Sequence, residues 1–328
     1  MNTHNSATQV FAPPLPGRQT RAGGGAGLPQ GPVFGFLGVL AFSFTLPFTR
    51  IAVQDLDPLL VGGGRAVVAA LLAAAVLLAT RSARPSSAQW RRLAIVAAGV
   101  VAGFPLLTSF ALQTVPASHG AVVIGLLPAA TAVAAVLRAG ERPSIRFWVA
   151  SLAGACATVG FVLLDAGGFS GLGAGDLLLL GAVVLAAFGY AEGGLLAREL
   201  GAWQTICWAL VLALPAMLIP TGMGLSAGFP DASPAAWLAF GYLAVISMFL
   251  GFFAWYRGLG IGPISAISQI QLVQPFLTLA WAALLLGEAF TLTNGIGAVV
   301  IVACAGVAVR SRVGRRAVHH PGRLRKRS

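Results

Sequence analysis

Residues 116–141 read PASHGAVVIGLLPAATAVAAVLRAGE, and residues 263–288 read PISAISQIQLVQPFLTLAWAALLLGE. Pro116, Pro128 and Glu141 return as Pro263, Pro275 and Glu288, each displaced by 147 residues. Ser118/Ser265, Thr131/Thr278, Ala135/Ala282, Leu137/Leu284 and Gly140/Gly287 match at the same offset. Pro and Glu are rare inside apolar runs, so three coincidences at one displacement mark an ungapped internal repeat rather than a chance likeness of two apolar helices. A period this long exceeds that of solenoid repeats. It is close to half the chain, the arrangement of transporters built from two related halves.

Composition fixes the solvent. The chain has 328 residues, 57% of them apolar, only 9% charged, and a mean hydropathy of +0.86, whereas a soluble domain carries roughly 25% charge. It is predicted to be an integral membrane protein. Every basic residue except Lys326 is Arg, and Ala and Gly abound, which reads as a GC-rich bacterial genome and hence a bacterial cytoplasmic (inner) membrane. The net charge of +12 lies mostly between apolar runs and in the tail from Arg310 to Arg327, a distribution that reports topology rather than nucleic-acid binding. Cys156, Cys207 and Cys304 fall within apolar runs without metal-ligand spacing, so neither a metal nor a cofactor is expected.

Outward from the repeat, the chain divides into ten apolar segments of the length needed to span a bilayer. The first five cover about Val33–Val53, Leu59–Ala79, Leu93–Leu112, Gly120–Leu137 and Phe147–Leu164, and the second five about Leu177–Ala197, Trp203–Ile219, Trp237–Tyr256, Ile264–Leu286 and Leu292–Val309. The expected fold is therefore an all-α integral membrane protein of ten transmembrane helices in two five-helix repeats, residues 33–164 and 175–309. A disordered cytoplasmic tail (residues 1–32) precedes them and a basic cytoplasmic tail (residues 310–328) follows. With both termini in the cytoplasm, every basic residue except Arg50 and Arg65 lies inside, while Asp55, Asp57, Asp165, Asp176, Asp231 and Glu288 lie outside. Five is odd, so the second repeat enters from the opposite side and the repeat is inverted.

Within the spans only Arg65 and Glu192 are charges placed far from an end, where ionised groups are costly and face a cavity or a partner. They differ in depth by about 13 Å, too far to pair directly. Arg65 either snorkels towards Asp55 or Asp57 or faces a cavity; Glu192 either snorkels towards Arg198 or serves as the proton-coupling group. The ninth span is the most polar, with Ser268, Gln271, Pro275 and Thr278 on one face and Gln274 close by, which requires neighbouring hydrogen-bond partners or a water-filled path. Pro128 and Pro275 are read as mid-helix kinks beside that path. Tyr190 and Tyr256 supply large faces with a polar edge, and Thr131 completes the candidate substrate-pathway set. Trp255 is assigned to the interfacial aromatic belt and His119 to an exposed outer loop. Gly99-xxx-Gly103 and Gly189-xxx-Gly193 have close-packing spacing, but among 42 glycines that spacing recurs by chance.

The paired Pro and Gly-Glu elements (Pro128, Gly140-Glu141; Pro275, Gly287-Glu288), the Arg65 helix after Asp57-Pro58, and Gly175-Asp176 opening the second half together resemble two EamA-type domains. The chain is similar to the ten-helix branch of the drug/metabolite transporter superfamily from about Val33 to Val309. That resemblance implies secondary active transport of small organic solutes, amino acids or related metabolites, often outward, by alternating access around a central site. Arg65 matches the family's arginine position, while its second-half counterpart, near Val211 or Leu212, is apolar. The small solute and the bilayer are the expected partners, nucleic acid is not, and a homodimer stays open. A passive channel or scaffold is the alternative. No nucleotide-binding glycine loop with Lys is present, and no clustered nucleophile or metal set suggests an intramembrane enzyme.

Overall fold

The computed structural model describes residues 30–165 and 173–288, the segment Val313–Arg315, and the isolated helical positions Ile296, Val299, Val300, Ala303, Cys304, Val307 and Arg310. The expected tenth span therefore lies largely outside the described residues, as does most of the N-terminal tail. Nine helices are described along the chain: α1 Gln30–Asp55, α2 Leu60–Ala79, α3 Ser87–Thr114, α4 Ala117–Ala139, α5 Ile145–Asp165, α6 Ala174–Ala197, α7 Ala202–Gly224, α8 Pro234–Ile261 and α9 Ile264–Leu286. All of these except α5 are both long and apolar enough throughout to cross a bilayer, and α5 is apolar over Ile145–Ala157. The protein is a helical integral membrane protein.

Local chemistry sets where the helices begin and bend. Ser86 and Gln89 form a reciprocal cap at the start of α3, the Ser86 amide donating to Gln89 Oε1 at 2.9 Å. Ser233 caps α8, whose first residue is Pro234. Inside α1, Pro47 has no N–H for the carbonyl of Ser43. That carbonyl instead accepts the Thr278 hydroxyl of α9 at 2.7 Å, so a proline defect in one repeat is satisfied by the other.

The sequence repeat becomes a spatial one through its two glutamates. Glu141, just past the C-terminus of α4, accepts the backbone N–H groups of Ile264 (2.7 Å) and Ser265 (2.9 Å) and the Ser265 hydroxyl (2.6 Å) at the start of α9. Glu288, just past the C-terminus of α9, accepts the N–H groups of Ala117 (3.1 Å) and Ser118 (3.0 Å) at the start of α4. Each carboxylate caps the first turn of the other repeat's helix, where unpaired N–H groups and the helix dipole favour negative charge. Gly140 (φ 63°) and Gly287 (φ 68°) make the left-handed turns that deliver them. One contact made twice with the roles exchanged is the mark of two-fold related halves.

The interruptions in the helices lie before the prolines rather than at them. α4 is interrupted between Ala117–Ile124 and Leu127–Ala139, where Gly125 and Leu126 close tighter turns. α9 passes through a 3₁₀ segment, Gln269–Val273. Pro128 and Pro275 then each occupy the first turn of the resumed helix, where a missing N–H costs nothing. α3 and α8 widen into π-helical turns at matching positions, Ala97–Gly103 and Leu243–Leu250.

A short antiparallel pair joins β1 (Glu141–Pro143) to β2 (Val313–Arg315). Part of the expected C-terminal tail thus docks on the loop after α4.

Candidate functional site

α1, α2, α3, α6, α8 and α9 surround a narrow central cavity of about 20 Å³, room for little more than one water molecule. Its polar wall consists of Thr45, Arg65, Tyr190, Ser247, Gln271 and Gln274, and its apolar wall of Phe42, Val100, Phe104, Met248 and Phe252. The wall coincides with irregular backbone. Arg65 follows the π-helical turns Leu60–Gly64, Val100 lies in the wide part of α3, Ser247 and Met248 in that of α8, and Gln271 in the 3₁₀ segment of α9. Inside a membrane such backbone persists where it is buried in protein or lines a cavity, and π-turns concentrate at functional sites.

Arg65 is 1% exposed. Its guanidinium reaches Thr49 Oγ1 at 3.5 Å and Thr108 Oγ1 at 3.4 Å, both beyond the usual N–H···O range, and its Nε has no acceptor. Among the described residues no carboxylate lies within ion-pair distance. It does not snorkel: the side chain is buried, while Asp55 accepts the Ser233 amide and Asp57 the Leu59 amide. An uncompensated cation in the interior costs several kcal/mol.

The facing polar groups come from α9. Gln271 donates to Gln274 Oε1 at 3.0 Å, Gln274 donates to the Phe42 carbonyl at 3.4 Å, and Gln271 Oε1 has no partner. Thr45 and Ser247 share a hydrogen bond of 2.8 Å. Tyr190 packs edge-on against Trp255, with centroids 5.2 Å apart, and against Phe252 at 6.1 Å.

Of the predicted pathway residues, Arg65, Tyr190, Gln271 and Gln274 meet on this cavity, whereas Thr131, Tyr256, Ser268 and Thr278 do not line it. Thr278 is engaged with α1, and Ser268, the last residue before the 3₁₀ segment, bonds back to Ser265 O at 3.0 Å. Tyr256 donates to Gly189 O at 3.2 Å while its ring covers Gly193. Thr131 is buried without a partner for its hydroxyl. Thr45, Ser247 and the phenylalanines were not singled out from sequence, since lone hydroxyls and Phe in apolar spans carry no positional signal.

Several other expectations are corrected. Glu192, 1% exposed, pairs with Arg92 of α3 and with Arg138 of α4 (2.7 Å), not with Arg198, which donates to the carbonyls of Leu259, Gly260 and Gly262. Arg92 also holds Glu199 at 2.6 Å, so one cluster ties α3, α4 and α6 together. Trp255 is fully buried rather than interfacial, because Gly38 brings α1 against it. His119 lies 2.6 Å from Asp176 and is half-buried rather than free in a loop. Gly99 and Gly189 are true packing positions: a Cβ on Gly99 would collide with the Leu185 carbonyl, and one on Gly189 with Val100. The lack of side chains there lets α3 and α6 approach backbone to backbone beside the cavity.

The sequence profile of the EamA-like transporter family matches residues 29–163 and 173–310. A curated relative, the uncharacterized transporter YdeK of Bacillus subtilis (strain 168), is 46% identical over 259 residues, covering 79% of this chain and 90% of that protein. A crystal structure at 19% identity superposes with a TM-score of 0.65 over 85% of this chain and 96% of its own, which shows the shared fold.

Proposed function

Because the chain belongs to the EamA-like transporter family, we propose that this membrane transporter is a secondary active carrier that exports small organic metabolites bearing a carboxylate, amino acids or related solutes, by alternating access. The observation that carries the reading is Arg65, a buried guanidinium with no counter-ion among the described residues, on the wall of a cavity lined by helices of both halves. A carboxylate supplies both the missing charge and the acceptor for Nε–H. On this reading residues 33–164 and 175–309 are the two inverted five-helix repeats, and the central cavity is the site that each side of the membrane reaches in turn. The competing class is a passive channel or a membrane scaffold. In proteoliposomes the carrier is expected to show saturable uptake and to accelerate exchange when unlabelled solute is loaded inside. Flux that neither saturates nor exchanges makes it a channel. Profiling of culture medium from cells with and without the gene supplies the candidate solutes and the direction.

The orientation proposed for the bacterial inner membrane places both termini in the cytoplasm. It is supported by the basic segments and by the β1–β2 pairing, which holds residues 313–315 on the same side as the arginine-rich loop after α4. A C-terminal cytoplasmic reporter should be active and a periplasm-dependent phosphatase at the same position silent; the reverse pattern overturns the orientation.

A further inference from the structure

We propose that Gln271 is the residue by which the central site distinguishes an amino-bearing carboxylate from a plain one, its side-chain oxygen receiving the ammonium of a solute whose carboxylate lies on Arg65. The inference rests on the reading of the cavity as the substrate site and adds to it a determinant of specificity.

The orientation of the Gln271 amide follows from a relay that starts at the backbone. The Phe42 carbonyl is an acceptor only, so Gln274, 3.4 Å away, must present Nε2 to it. Gln274 Oε1 is then turned towards Gln271 and takes the Gln271 Nε2 proton at 3.0 Å. A flipped Gln271 would set two carbonyl oxygens against each other. Gln271 Oε1 is therefore committed to the remaining direction, where it accepts no hydrogen bond although the residue is only 2% exposed and the Tyr190 hydroxyl lies beside the amide.

A buried amide oxygen without a donor is costly, and buried polar groups are nearly always paired. The same cavity holds the opposite deficiency, the Arg65 Nε–H without an acceptor. One unmet cationic donor and one unmet neutral acceptor on a single small cavity are satisfied together by a solute carrying an anion and a donor. Among the described residues the lining includes no carboxylate, so an ammonium there is received by neutral oxygen, beside the rings of Tyr190 and Phe252. Gln274 touches no solute in this scheme. It is a positioning residue that holds the acceptor of Gln271 in place.

The test uses the full-length protein in proteoliposomes, with competition against counterflow by matched pairs: L-leucine and 4-methylpentanoate, L-phenylalanine and 3-phenylpropanoate, L-glutamate and glutarate. At least one amino acid should compete about tenfold or more better than its deaminated partner, as expected for a hydrogen bond to a charged group. Gln271→Met, which keeps the shape without the oxygen, should narrow that ratio to about twofold, and Gln274→Met should narrow it in part by freeing the amide to turn. Equal competition within every pair in the parent protein, with both members weakened by Arg65→Ala, overturns the role of Gln271 and leaves the central site standing. A ratio that survives in Gln271→Met overturns it as well. If the whole panel fails to compete, the substrate class proposed for the cavity falls, and this inference with it. Should Gln271→Met fail to accumulate, Gln271→Leu, which also lacks the oxygen, takes its place with the same two outcomes.

Discussion

Arg65→Ala is expected to lower transport by about a hundredfold or more, corresponding to about 3 kcal/mol of lost interaction between a buried guanidinium and a carboxylate, while the protein stays folded. The second half of that expectation separates this site from a structural ion pair. When a buried charge has a counter-ion inside the protein, truncation strands the partner and destabilises the fold by about 3–5 kcal/mol. Arg65 has no such partner among the described residues, and its contacts to Thr49 and Thr108 are long. Removing it relieves a desolvated cation, so the thermal midpoint of the purified Ala variant should equal or exceed that of the parent. Arg65→Lys keeps the charge but loses the planar fork that grips a carboxylate at two points, and should restore transport only in part. Parent-like counterflow by a well-accumulated Arg65→Ala would remove the central site from the transport cycle. A variant both inactive and strongly destabilised would recast Arg65 as a structural residue.

Sequence made the repeat, the membrane environment and the central arginine legible because each depends on residue types that are costly where they stand. Proline in an apolar helix, glutamate at its end and arginine at mid-depth all demand a reason that is visible without coordinates. What stayed hidden is long-range pairing. Nothing near Glu192 in the chain names Arg92 or Arg138, which lie in other helices, and Arg198, the neighbour by sequence, is occupied by carbonyls. The weight of the glycine spacings was hidden for the same reason: Gly99 differs from the many inert glycines only because Leu185 and Gly189 of α6 lie against it. Trp255 was read from its place near a predicted helix end. α8 runs on to Ile261, however, and the residue lies inside the protein rather than at the lipid boundary.

Glu192→Gln is expected to abolish the acceleration of transport by an imposed pH gradient while sparing solute counterflow. We infer a coupling role for Glu192 because it is a buried carboxylate in α6 that holds two guanidinium groups, Arg92 from α3 and Arg138 from α4. Glu192 is the carboxylate shared by both contacts, so a coupling role requires α3 and α4 to part from α6 as it is released from its two guanidinium groups, at one end of the cavity wall. The amide keeps the shape of the side chain and cannot titrate. The loss should not unfold the protein: Arg138 is 40% exposed and turns to water, and Arg92 retains Glu199. Glu199 is the cluster's other carboxylate. Partial burial works against its charged form, but hydrogen bonds from Arg92 and Gln89 outweigh this and hold its carboxyl below the usual range. The stability it contributes is therefore present above the ordinary carboxylate pKa and is lost only as pH falls through the lowered value, below the range in which transport is assayed. If Glu192→Gln responds to the gradient like the parent while counterflow changes, the cluster is a mechanical closure between α3, α4 and α6 and not the coupling group. A parent protein that ignores the gradient altogether is a carrier driven by the solute's own gradient, and the cluster is then structural.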